Sequence, residues 1–135
     1  MISKEQVQFY DEHGYIVVED VLSAELLQEL RLVTDQVVAS ASELDESSDL
    51  LDLEPDHSRQ SPRVRRIKRP HLAHEFYRKL CAEACITDVL CELLGPNIRL
   101  RSGGKVNMKS ARFGSPVEWH QDCLLYTSPS PRDRG

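Results

Sequence analysis

No window of the sequence approaches the roughly 20 consecutive apolar residues that a membrane-spanning helix needs. The opening MISKEQVQFY lacks the basic-then-apolar layout of a secretory signal. These absences set the expectation of a soluble intracellular protein, cytoplasmic by default. Excess positive charge is missing too: 17 Lys and Arg stand against 22 Asp and Glu, a net charge of -5. That balance argues against nucleic acid or an anionic membrane as a partner. Cysteine is sparse: Cys81, Cys85 and Cys91 fall in one helical region at spacings that match neither CxxC nor a paired zinc motif. They are expected to be buried free thiols in a reducing compartment. No internal repeat is present, and nothing in the composition fixes an oligomeric state.

What is present suits one small domain, with 135 residues and 40% hydrophobic content. Ser3 and Gln6 form a capping-box pair for a first helix that Gly14 can end in a left-handed conformation. YIVVED, from Tyr15, reads as a short buried strand. Ser23 can cap a second helix whose Leu26, Leu27, Leu30, Val33, Val37 and Val38 make an apolar stripe. Residues 43–60 read as a solvated acidic loop, since seven carboxylates lie between Glu43 and Asp56 with no cation among them. Helical patterns run from Leu72 to Leu94, broken near Ala82 to Ala84 and stopped by Gly95 and Pro96. IRLRS and KVNMK are short strand candidates.

The basic run RVRRIK reads as a strand with Arg63, Arg65 and Ile67 on one side and Val64, Arg66 and Lys68 on the other. Two readings stand: a solvated edge strand paired with the acidic loop, or a strand that aims one cation at an anionic ligand. The chemistry concentrates in VEWHQD. In an extended segment His120 and Asp122 share a face while Gln121 points the other way. An imidazole and a carboxylate so placed supply two-thirds of the two-His-one-carboxylate triad that holds Fe(II). HxD alone is a weak signal, because a surface His–Asp pair more commonly makes an ordinary hydrogen bond. His13, His57, His71 and His74 are expected to be surface or capping residues.

Three stretches taken together, FYDEHGYIVVEDVLSAE, RVRRIKRPH and LLGPNIRLRSGGKVNMKSARFGSPVEWHQD, resemble the phytanoyl-CoA dioxygenase (PhyH-like) family of Fe(II)- and 2-oxoglutarate-dependent oxygenases, over about Phe9 to Asp122. The resemblance implies an α+β fold: N-terminal helices followed by the first strands of a double-stranded β-helix, a jelly-roll or cupin-like barrel that is incomplete in this chain. It implies His120 and Asp122 as iron ligands. Gln121, Lys105 and either Arg66 or Lys68 would lie near the co-substrate. It also implies 2-oxoglutarate and O2 as partners in hydroxylating an unactivated C–H bond of a small organic substrate, which it does not identify. A distal His and an Arg that clamps the far carboxylate of 2-oxoglutarate belong to the family pattern and have no counterpart here.

CLLYTSPSPRD, from Cys123 to Asp133, is what one frame of a transposase adapter used in sequencing libraries encodes. The chain is accordingly divided into 1–122, the N-terminal part of an oxygenase domain, and 123–135, adapter read-through to be excluded from fold reasoning. The adapter supplies the third base of codon 122, so a carboxylate there is secure while its identity as Asp rests on the family pattern. The chain as given is expected to be inactive. A peroxisomal C-terminal address is untestable without the true C-terminus. The alternatives are a non-catalytic interaction module and a PhyH-like protein that has lost catalysis.

Overall fold

The computed structural model describes residues 2–100, 104–109 and 114–117. Helix α1 (Lys4–His13) opens as its sequence dictates, with the Ser3 hydroxyl accepting from the Gln6 N–H and the Gln6 side chain accepting from the Ser3 N–H. Gly14 closes it at φ 79°, a left-handed conformation that suits glycine. Ser23 caps α2 (Ala24–Ala39), and a 3-10 turn (Ser40–Glu43) follows.

Strands β1 (Leu51–Leu53), β2 (Val64–Ile67) and β3 (Val106–Asn107) form an antiparallel sheet in the order β1-β2-β3 that does not close among the described residues. Between β2 and β3 lie α3 (Pro70–Ala73), α4 (Glu75–Leu80) and α5 (Ala84–Leu94). The break expected near residues 82–84 falls between α4 and α5, and Gly95 ends α5 at φ 89°. The architecture is α+β, compatible with the opening of a jelly roll. No helix among the described residues is long and apolar enough to cross a membrane.

The core joins Val33 and Val37 of α2, Leu51 of β1, Val64 and Ile67 of β2, and Phe76 and Tyr77 of α4, with Ile67 fully buried. Val64 and Ile67 have opposite parity and would leave a regular strand on opposite faces. A bulge brings them together: Leu51 pairs with Ile67 and Asp52 with Arg66, but Leu53 pairs with Val64, so Arg65 is the extra residue. The expected grouping of Arg63, Arg65 and Ile67 on one face therefore does not hold.

Five further expectations are corrected. The acidic stretch 43–60 is not wholly loop, since it contains β1 and the buried Glu54. The basic strand does pair with it, yet it is the central strand of the three and not an edge. Residues 15–20 form no strand: Tyr15 and Val17 are exposed, and Asp20 takes φ 53°. With no neighbouring strand to take its N–H and C=O groups, β propensity alone does not make a ladder. Ile98 to Leu100 of IRLRS likewise carry no strand. Finally, Cys81, Cys85 and Cys91 are free thiols as expected, but the first two are exposed and the third half-buried: Cys81 caps the end of α4, and α5, which carries the other two, buries none of its residues.

Candidate functional site

The bulge at Arg65 and the alternation of β3 together build a cationic pocket. Along KVNMK, Val106 and Met108 pack against the core, so Lys105, Asn107 and Lys109 share the opposite face. Arg66 pairs in register with Asn107 and presents its side chain to that same face. The resulting cavity of about 320 Å³ is lined by Arg65, Arg66, Lys105 and Lys109 together with Ser115 and Val117. Its volume is at the lower end of the roughly 300–1,000 Å³ usual for small-molecule sites. None of the described residues lining it is acidic.

Two carboxylates stand behind the cations. Asp52 bonds Arg66 Nε at 2.8 Å and Lys68 Nζ at 3.1 Å, which fixes the direction of the Arg66 guanidinium. Glu54, 3% exposed, accepts from the Ser115 N–H at 3.1 Å and from the Ser115 hydroxyl. The hydroxyl bond is the main reason its carboxyl sits below the usual carboxylate range. Burial opposes that shift, while the Ser115 N–H, Arg65 and Lys109 add to it. Arg65 Nη2 donates to the Pro116 carbonyl at 3.3 Å.

Of the residues expected from sequence, Arg66 and Lys105 come together on this wall. Lys68 does not line it and shares Asp52 with Arg66. His120, Gln121 and Asp122 lie outside the described residues; His120 is three positions beyond Val117, the last described residue. Among the described residues no group of three His, Cys, Asp or Glu side chains could hold a metal. The other histidines have structural partners where the geometry gives them any. His74 Nδ1 accepts from the Phe76 N–H and caps α4. His57 accepts from the Arg63 N–H at Nδ1, which makes Nε2 the donor to the Leu44 carbonyl. His13 stacks on Phe9.

Arg65, Lys109, Glu54 and Ser115 were not singled out from sequence. Lys109 had a signal, being four residues from Lys105 and so on the same strand face. Arg65 and the Glu54–Ser115 pair had none, since one depends on a bulge and the other joins positions 61 apart.

The chain matches the phytanoyl-CoA dioxygenase (PhyH) family over residues 10–134. It is 30% identical over 126 residues to a probable alpha-ketoglutarate-dependent hypophosphite dioxygenase of Stutzerimonas stutzeri, a match covering 93% of this chain and 43% of that protein. It is 31% identical over 121 residues to an ectoine dioxygenase of Sphingopyxis alaskensis, covering 90% of this chain and 37% of that protein. An ectoine dioxygenase of Nocardia farcinica is 24% identical over 135 residues, covering 97% and 43%. The chain thus spans about two-fifths of the length of the curated relatives it matches. No solved structure matches.

Proposed function

Because the chain belongs to the phytanoyl-CoA dioxygenase family, we propose that the protein carrying it is an Fe(II)- and 2-oxoglutarate-dependent dioxygenase that hydroxylates an unactivated C–H bond of a small organic substrate. The observation that carries this reading is the cationic pocket, whose described lining includes Val117, three residues before His120 in sequence. Several cations around a partly enclosed space suit a dicarboxylate such as 2-oxoglutarate, since each charge-assisted hydrogen bond there is strengthened by partial desolvation.

In this reading Lys105 and Arg66 hold and orient a carboxylate of the co-substrate. Arg66 is preferred to Lys68 for that contact, because Arg66 is on the wall and Lys68 stands behind it on their shared acid. Gln121 would face the same space. His120 and Asp122 provide an imidazole nitrogen and a carboxylate oxygen, a donor set that suits Fe(II). When bound there, iron supplies the activation of O2 that couples oxidation of 2-oxoglutarate to succinate and CO2 with oxidation of the substrate. The third ligand and the Arg that clamps the far carboxylate belong to the rest of the parent protein. We further propose that residues 123–135 are not native and that the 135-residue chain alone is inactive. The substrates in the relatives' names, hypophosphite and ectoine, differ, so family membership does not choose the substrate here.

The experiment begins with the source transcript sequenced through codon 122 and the full-length protein expressed from it. Binding of Co(II), as a stand-in for Fe(II), and then of 2-oxoglutarate is followed by calorimetry. The wild type is expected to bind both, and His120→Ala to lose Co(II). Lys105→Ala is expected to weaken 2-oxoglutarate about tenfold, the equivalent of one charge-assisted hydrogen bond. A full-length protein that binds neither would overturn the reading. One that binds both yet oxidises no C–H bond in a broad substrate panel would point to a family member that has lost catalysis.

A further inference from the structure

We propose that Glu54 is a positioning residue for the metal-binding stretch, acting through Ser115. The inference rests on the reading of His120 and Asp122 as metal ligands.

Glu54 lies just past β1, beyond the register shift between Asp52 and Leu53, and its N–H bonds the Arg63 carbonyl at 2.9 Å. A carboxylate 3% exposed is costly unless its oxygens are bonded. Both of the Glu54 oxygens are bonded, and both bonds come from one residue 61 positions along the chain: the Ser115 N–H reaches Oε1 and the Ser115 hydroxyl reaches Oε2. The segment so held, residues 114–117, makes no strand of its own. Its second tether is the guanidinium of Arg65, which donates to the Pro116 carbonyl. One tether comes from the residue just past β1 and the other from the bulged residue of β2.

The consequence is geometric. His120 follows Ser115 by five residues, so its Cα lies within roughly 18 Å of the clamp however the chain between them runs. Where Ser115 is fixed therefore bounds where an imidazole and a carboxylate can meet a metal. Ser115 also lines the cationic pocket, so the same bonds fix, relative to the cations, the segment from which the ligand stretch departs. An acid that only supported the fold would be expected to pair within the sheet; this one joins the sheet to the segment that leads into the ligands.

The test uses the full-length protein and Co(II) as the probe, with its dissociation constant read well below the unfolding temperature of each variant. Glu54→Ala and Ser115→Ala are each expected to weaken Co(II) binding roughly tenfold, the lower end of the effect of removing support from metal ligands. The double variant should weaken it no further than the worse single, because the two side chains act as one unit. Ser115→Thr, which keeps the hydroxyl, should restore most of the affinity. If Glu54→Ala does not fold, Ser115→Ala and Ser115→Thr still decide. Folded variants that lose thermal stability but keep wild-type Co(II) affinity would overturn the proposal and leave Glu54 a fold-supporting residue only. A wild type that binds no Co(II) would instead remove the ligand reading, and the positioning role with it.

Discussion

Helices α1 and α5, at the periphery of the core, and the strands at its centre are held by different physics. Helices α1 and α5 carry strong local signals, a capping box and a left-handed glycine in one, an apolar stripe and a terminal Gly-Pro in the other. Yet neither has a single buried residue, and they contact each other. Strands β1 and β2 carry weak local signals, with charged residues at Asp52, Arg65 and Arg66, yet they hold Leu51, Val64 and Ile67 at the centre of the core. Caps and stripes specify that an element exists; they do not specify what covers it. Burial comes from pairing, and β1 exists because β2 is there to receive it.

The contrast can be broken most forcefully at Ile67. It is fully buried between α2, β1 and α4, so Ile67→Ala should destabilise the protein that carries this chain by about 2–5 kcal/mol. Leu90→Ala on α5, where the side chain is 38% exposed, should cost only about 1–1.5 kcal/mol. Chemical denaturation of the two variants measures both. Comparable losses would mean that α5 is packed as tightly as the sheet, and the distinction drawn between edge and centre would fail.

How much of this was legible follows the same division. Ser3, Gln6, Gly14, Ser23 and Gly95 act within a few residues of themselves, so their roles could be read directly and the structure agrees. YIVVED was misread because β propensity describes fit to a ladder, and these residues have no ladder to join. The bulge at Arg65 was invisible for the opposite reason. It is a property of two paired strands, and it shifts Ile67 from the face of Arg63 to the face of Val64 without any change in composition. Of the candidate site, Lys105 and Arg66 were found by resemblance and come together on the pocket wall. Lys109 could have been added from alternation. Glu54 was hidden among six other carboxylates of a stretch that reads as a uniform acidic loop, and only its partner distinguishes it.

That partner gives the second way to sharpen the comparison, through pH. Ser115 holds the Glu54 carboxyl below its ordinary value near 4.5, so the folded protein binds a proton there less readily than the unfolded chain does. The linked stability is fully present above the unfolded value and is lost as pH falls from about 4.5 down through the folded value. Glu54→Gln removes the titration. Its stability should start lower than wild type at neutral pH and then decline less steeply through that acid window. Parallel acid curves for the two proteins would show that the bond contributes nothing to folding, and would separate Glu54 from the sheet it adjoins.

The smallest expected effect lies in α1, outside the core. Ser3→Ala removes the hydroxyl that satisfies the Gln6 N–H, a loss of about 1 kcal/mol when a helix is part of the cooperative unit. Because α1 has no buried residue, the loss should appear as local fraying, with faster amide exchange in its first turn, and the global unfolding midpoint should barely move. Exchange in β2 should be unchanged in the same experiment. If instead Ser3→Ala lowers the global midpoint by the full cap energy, α1 is coupled to the core through α5. The edge helices would then belong to one cooperative unit with the sheet that carries the pocket.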